Sequence, residues 1–98
     1  MAVTEIVQVY GAEGAGDELA KTFESIVDLL TQDPECHGVR VFHGIEDPDR
    51  FVLAVDWTSV DAHEAWRASE AREQWRAALS PFVTKPNEMA HYTLVVAT

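Results

Sequence analysis

Ninety-eight residues, 47% apolar and 24% charged, suit a single domain over residues 1–98 and are too apolar for a disordered chain. A formal charge of -10 with only seven Lys and Arg excludes nucleic acid, whose phosphates need clustered cations, and argues against anionic membrane surfaces. One cysteine, Cys36, rules out an internal disulfide and fits a reducing compartment.

The opening MAVTEIVQVY lacks the basic and long apolar segments of a signal peptide. No stretch approaches the ~20 apolar residues of a membrane span. The expected location is cytoplasmic, and the acidity reads as solubility. A chain this short buries only about 60–70% of its unfolded surface, so a partner would add stability.

Val3 to Tyr10 alternates and is rich in Val and Ile, which predicts a strand. Gly11, Gly14 and Gly16 break it as a loop, with Asp17 expected to cap the helix that follows. Leu19, Phe23, Ile26, Val27 and Leu30 form one apolar stripe, Asp17 and Lys21 a favourable pair one turn apart, and Asp33-Pro34 a stop. Alternation returns from His37 to Ile45. Glu46 to Asp49 is turn chemistry, and Arg50 to Trp57 completes a hairpin.

Thr58 or Ser59 is placed to cap a second helical region that ends near Pro81. Trp66 and Trp75 lie nine residues apart, hence on opposite faces of a straight helix at about 100° per residue. A bend near Ser69 to Ala71 would bring both inward. Glu88 to Ala97 reads as a last strand.

The order β-α-β-β-α-β predicts an α+β fold of the ferredoxin-like kind, a four-stranded antiparallel sheet with its helices on one face. Both sheet faces carry apolar residues: Phe51, Leu53, Val55 and Trp57 on one, Val52 and Ala54 on the other. Helices can cover only one face. A two-fold homodimer packed sheet against sheet would cover the second.

Three stretches carry a family resemblance: Cys-His-Gly-Val-Arg-Val at 36–41, Glu-Asp-Pro-Asp-Arg-Phe at 46–51, and Val-Asp-Trp-Thr-Ser-Val-Asp-Ala-His-Glu-Ala-Trp at 55–66. With the element order they resemble the antibiotic biosynthesis monooxygenase family of dimeric α/β-barrel proteins, over almost the whole chain. The resemblance implies a barrel of two facing sheets and a pocket in each subunit beside the second helical region. It implies a range of activities, cofactor-free oxygenation of quinols and aromatic polyketides among them.

The haem-degrading branch of that superfamily uses a first-strand Asn, a Trp on the second helix and a His ligand beyond it. Trp66 fits, but Val7 and Trp75 stand where the Asn and His would be, and Trp cannot ligate iron. Cofactor-free members often set an Asn or Arg beside a Trp. The single Asn is Asn87, in a loop, and no Arg aligns with that role.

The glycine loop has the spacing Gly-x-x-Gly-x-Gly, the reverse of the dinucleotide fingerprint, and reads as a plain connection. Of the four histidines, His37 and His43 lie roughly 20 Å apart along a strand, and none has zinc-site spacing. No haem, flavin or metal is expected. Cys36 and His37 point to opposite sides of a strand and make no nucleophile pair.

Trp57, Trp66 and Trp75, with Phe42, Tyr92, Phe82 and Tyr10, are the most informative set. Individually they read as core; together they suggest a slot for a small aromatic molecule. A cofactor-free oxygenase must deprotonate its substrate, and His91 or His43, both on strands, are the candidate bases, His91 preferred. His63 is expected to be exposed on a helix. The competing reading is a non-catalytic dimeric module that binds a small ligand or assists another enzyme. An open pocket with polar groups facing Trp66 would favour the enzyme, and a filled one the module.

Overall fold

The computed structural model describes all residues, 1–98. The first alternating run is strand β1 (Val3–Tyr10), and its two phases are sharply unlike: Val3, Glu5, Val7 and Val9 are buried, and the residues between them half-buried. Strands β2 (Cys36–His43) and β3 (Arg50–Trp57) form the expected hairpin. With β4 (Glu88–Tyr92) they make one antiparallel sheet in the order β2-β3-β1-β4. The fold is thus α+β and ferredoxin-like, all helices lying on the face that presents Leu53, Val55 and Trp57.

The first helical stripe divides at Val27 into α1 (Gly16–Ile26) and α2 (Asp28–Thr31), burying Leu19, Phe23 and Leu30. Two local expectations are corrected. Asp17 is not the cap: Ala15 holds that position, and Asp49 of the β2–β3 turn accepts from Gly16 N and Gly14 N, both at 3.0 Å. The loop needs glycine because a Cβ on Gly16 would stand 2.2 Å from the Pro48 carbonyl oxygen, and because Gly14 has φ 81°. The loop therefore clasps the hairpin. Lys21, for its part, lies 3.9 Å from Glu18 rather than beside Asp17.

The bend in the second helical region is present. α3 (Val60–Arg67) is capped by Ser59, whose hydroxyl accepts from Ala62 N at 3.1 Å. α4 (Glu70–Leu79) is capped in the same way by Ser69, which accepts from Arg72 N at 3.3 Å. Trp66 is buried and Trp75 half-buried on the inner side, their rings edge to face at 6.2 Å. A 3₁₀ turn at Ser80–Phe82 then leads towards β4.

β4 is shorter than the alternation predicts. Tyr92 pairs opposite Thr4, next to the first residue of β1, so residues 93–98 run past the end of their neighbour. Without a partner strand they form none, and Leu94 and Val95 are 78% and 93% exposed. No helix is long and apolar enough to cross a membrane.

Candidate active site

A cavity of about 750 Å³ lies between the helix-covered sheet face, α4 and the segment leading into β4. Val7, Val9, Leu53 and Val55 form its floor, and Trp66, Trp75 and Leu79 a wall. Two buried polar residues, Glu5 and His63, interrupt the apolar part of this lining, and exposed polar side chains complete it.

Glu5 stands in the buried phase of β1, between Val3 and Val7, and is 7% exposed. Its Oε1 accepts from Trp57 Nε1 at 3.0 Å and lies 3.2 Å from His63 Nε2. The Ser59 cap fixes the start of α3, and one turn later His63 faces the sheet, 2% exposed, stacked on Trp57 at 5.1 Å. On its other side His63 Nδ1 lies 2.7 Å from Nε2 of His91, which sheet register sets directly opposite Glu5. The result is a continuous chain, Glu5–His63–His91, tied at its carboxylate end to Trp57.

When Glu5 is ionised this chain has one consistent proton order. His63 Nε2–H faces the carboxylate at 3.2 Å as an electrostatic contact, His63 Nδ1 accepts from His91 Nε2, and His91 Nδ1 keeps a free lone pair. Burial raises the pKa of Glu5, opposed first by its bond from Trp57. Burial, and next the neighbouring His91, lowers His63 from 6.5 to about 4. His63 is therefore a neutral connector at physiological pH.

Glu5 Oε2 takes no part in these bonds. Glu5 nevertheless lines the cavity. A carboxylate of raised basicity, facing an aromatic-walled space and backed by a histidine, can accept a proton from a bound molecule.

The aromatic residues singled out from the sequence are spread across the fold. Trp66 and Trp75 wall the cavity. Trp57, fully buried, lies beneath it and anchors Glu5. His91 joins through His63. His43 is elsewhere: it stacks on Phe51 at 4.3 Å, and its Nε2 donates to the Pro48 carbonyl at 2.7 Å. Phe42 and Tyr92 sit on the opposite sheet face, 48% and 54% exposed. The seven residues therefore do not share one pocket, because strand alternation sends Phe42 and Tyr92 away from it.

The sequence pattern alone does not single out Glu5, and His63 is buried where the pattern predicts exposure. For Glu5 a signal exists, an acid in the Val-x-Glu-x-Val-x-Val phase of a buried strand. For His63 it is the three-residue step to Trp66, which shares its helix face.

His63, Glu64 and His91 bring ligand atoms within 4.8 Å of one another, the arrangement nearest to a cation site. The two histidine nitrogens already face each other at hydrogen-bond distance, and Glu64 is paired with Arg67 at 3.3 Å. Cys36 and His37 are not a pair, since His37 Nε2 meets Thr58 Oγ1 at 2.9 Å.

Among solved structures, a Bordetella bronchiseptica protein of the antibiotic biosynthesis monooxygenase type is 27% identical, with a TM-score of 0.91 over 97% of this chain and 98% of its own. A Nitrosomonas europaea protein of the same type is 15% identical, with a TM-score of 0.85 over 99% and 93%. SnoaB from Streptomyces nogalater, a cofactor-independent oxygenase, is 19% identical, with a TM-score of 0.84 over 98% and 95%. No curated protein matches the chain at a significant level. Residues 2–78 match the family description "Antibiotic biosynthesis monooxygenase". The chain belongs to the antibiotic biosynthesis monooxygenase family.

Proposed function

We propose that this chain is a cofactor-independent monooxygenase that oxidises a small aromatic or quinol-like substrate, working as a homodimer. The observation that carries this reading is Glu5: a buried carboxylate that lines a cavity walled by Trp66 and Trp75, with one oxygen left out of the contacts to Trp57 and His63. A packing residue would gain nothing from that carboxylate, whose burial is costly. The same observation favours the enzyme over a passive binding module.

The chemistry follows from an acidic ring position. Glu5 Oε2 removes a proton from the activated CH₂ of an anthrone-like substrate, leaving an electron-rich anion spread over the rings. Dioxygen, soluble in the apolar cavity, takes an electron from that anion and combines with it at carbon to give a hydroperoxide. Loss of water then leaves a carbonyl. The balance is CH₂ plus O₂ to C=O plus H₂O; the carbon is oxidised by four electrons, and dioxygen supplies one atom to each product. His63 and His91 hold the charge on Glu5 in the reactive state, and half-buried His91 links the chain to solvent.

The outer sheet face and the unpaired residues 93–98 support the dimer. Ile6, Ala54 and Ala90 lie in adjacent register at the centre of that face, and Leu94 to Val96 project as an exposed apolar segment. A second copy would cover both.

The test is oxygen uptake and carbonyl formation on anthrone and quinol substrates without added cofactor, comparing the native chain with Glu5→Gln. Gln still accepts from Trp57 but cannot act as the base. Turnover should fall ~10²–10⁴-fold. Undiminished turnover in Glu5→Gln would sink the mechanism. Absence of uptake with binding intact would assign the chain to the non-catalytic module.

A further inference from the structure

We infer that His63, Glu64 and His91 form a binding site for one divalent transition-metal ion, and that the bound ion switches off the proton chain. The switching rests on the oxygenase reading, while the binding stands on the side chains themselves.

His63 Nδ1, His91 Nε2 and a Glu64 carboxylate oxygen all lie within 4.8 Å of one another. The set joins α3 to β4 across twenty-eight residues of chain, so no local spacing of histidines announces it. Two imidazoles with one carboxylate suit Zn²⁺, Ni²⁺ or Cu²⁺. Ca²⁺ and Mg²⁺, which take oxygen ligands, are poorly served.

Three features favour a cation here. The first is reach. Two nitrogens bound at ~2.0 Å and at right angles about one metal stand ~2.8 Å apart. The facing histidine nitrogens are already 2.7 Å apart. A tetrahedral ion asks for ~3.3 Å, so tetragonal Ni²⁺ or Cu²⁺ needs the smaller opening. Each ring must tilt until both lone pairs converge on the ion, and half-buried His91, on an edge strand, is the freer of the two. The second feature stands behind His63. Its Nε2 faces Glu5 at 3.2 Å. A carboxylate in that position fixes the tautomer of a metal-bound histidine and raises its basicity. The third is access. Glu64 is exposed, so water can fill the remaining coordination positions.

The competing contacts are weak. One proton lies between the rings, that of His91 Nε2. Shifted to His91 Nδ1, it leaves two lone pairs facing the ion with no change of charge. Arg67 holds Glu64 at 3.3 Å and is the positive charge that opposes the ion. Both side chains are exposed, and such pairs add little stability, so Glu64 is free to turn.

A bound ion takes His91 away from His63 Nδ1 and sets two positive charges behind Glu5, whose affinity for a proton falls. The carboxylate is then a poorer base for the substrate, and its path to solvent through His91 is cut.

The test is titration of the untagged chain with NiCl₂ alone, read by calorimetry and by quenching of tryptophan emission, since Trp57 stacks on His63 at 5.1 Å. One ion should bind per chain. His91→Ala and Glu64→Gln should each weaken binding ~10-fold or more, as loss of even an outer partner does, and His37→Gln should leave it unchanged. Without metal, Glu64→Gln should take up oxygen at the native rate; with nickel it should need ~10-fold more metal than the native chain for the same inhibition. No binding, binding that survives His91→Ala, or binding lost in His37→Gln would overturn the site. Full occupancy with undiminished oxygen uptake would overturn the switch. One ion bound and lost in His91→Ala, in a chain that takes up no oxygen even without metal, removes only the oxygenase reading and leaves the site.

Discussion

The two faces of the sheet are built from alternate residues of the same strands, yet they carry opposite kinds of content. Glu5 faces the helices and Ile6 faces away; His91 faces the helices and Tyr92 away. The inner face gathers the fully buried aromatics and the Glu5–His63–His91 chain. The outer face holds Ile6, Ala54, Phe42 and Tyr92 with polar residues between them, among them Thr4, whose hydroxyl donates to Asp56 at 2.7 Å. One residue of register decides whether a side chain faces the helices and the cavity or the open side of the sheet. Substitutions on the two faces should therefore fail in different ways.

The largest effect is expected on the inner face, from Trp57→Ala. It removes a fully buried indole and the donor that holds Glu5. The loss should be ~3–5 kcal/mol, a large part of the ~5–15 kcal/mol that stabilises a domain. Denaturant titration measures it. A loss under about 1 kcal/mol would mean that Trp57 does not anchor this face.

The outer face should break by separation rather than unfolding. Ile6→Asp sets a carboxylate at the centre of the proposed dimer surface, where an unpaired buried charge costs roughly 3 kcal/mol. Sedimentation should then show monomer where the native chain is dimeric, with the pocket and its binding of planar ligands retained. A native chain that is monomeric at micromolar concentration would remove the dimer altogether.

The inner face should also be sensitive to acid. His63 is depressed from 6.5 to about 4, first by burial and then by His91. A depressed group contributes stability above its unfolded pKa, and that contribution is lost as pH falls through its folded value. The loss here runs from about pH 6.5 to 4 and amounts to roughly 3 kcal/mol. Glu5, raised by burial, acts in the opposite sense: it favours the fold at low pH and loses that contribution as pH rises through its folded value. Glu64 and Arg67 also act on His63. His63→Gln should flatten the fall in stability between pH 6.5 and 4; an unchanged profile would show that other groups control acid unfolding.

The contrast between the faces also explains what the sequence could reveal. Periodicity located β1, the hairpin and the bend between Trp66 and Trp75, because each depends on local pattern. Local pattern at the Gly14–Gly16 loop points to Asp17, whereas the group that accepts from Gly16 N is Asp49, thirty-three residues away. Alternation in 93–97 predicts a longer β4 than forms, because it cannot reveal that β1 has already ended. The site was harder still. Aromatic content pointed to Trp66 and Trp75, but the proton chain needs β1, α3 and β4 together, and no local spacing encodes that meeting.

The smallest effect sharpens the comparison most, because it asks one substitution to be silent in the monomer and visible in the assembly. Tyr92 is 54% exposed at the end of β4, next to His91 in sequence but on the other face. Its hydroxyl takes part in no hydrogen bond within the chain, so Tyr92→Ser should change monomer stability by no more than about 0.5 kcal/mol, as surface substitutions usually do. The Glu5–His63–His91 geometry should be untouched, and turnover per site with it. Against a partner sheet the same ring would be covered, and losing it should weaken association by about 1–2 kcal/mol, or roughly 5–30-fold in the dimer dissociation constant. Paired measurements of denaturant midpoint at high dilution and dimer dissociation by sedimentation separate the two. If Tyr92→Ser lowers monomer stability and leaves association unchanged, the outer face is part of the chain's own packing and not a partner surface.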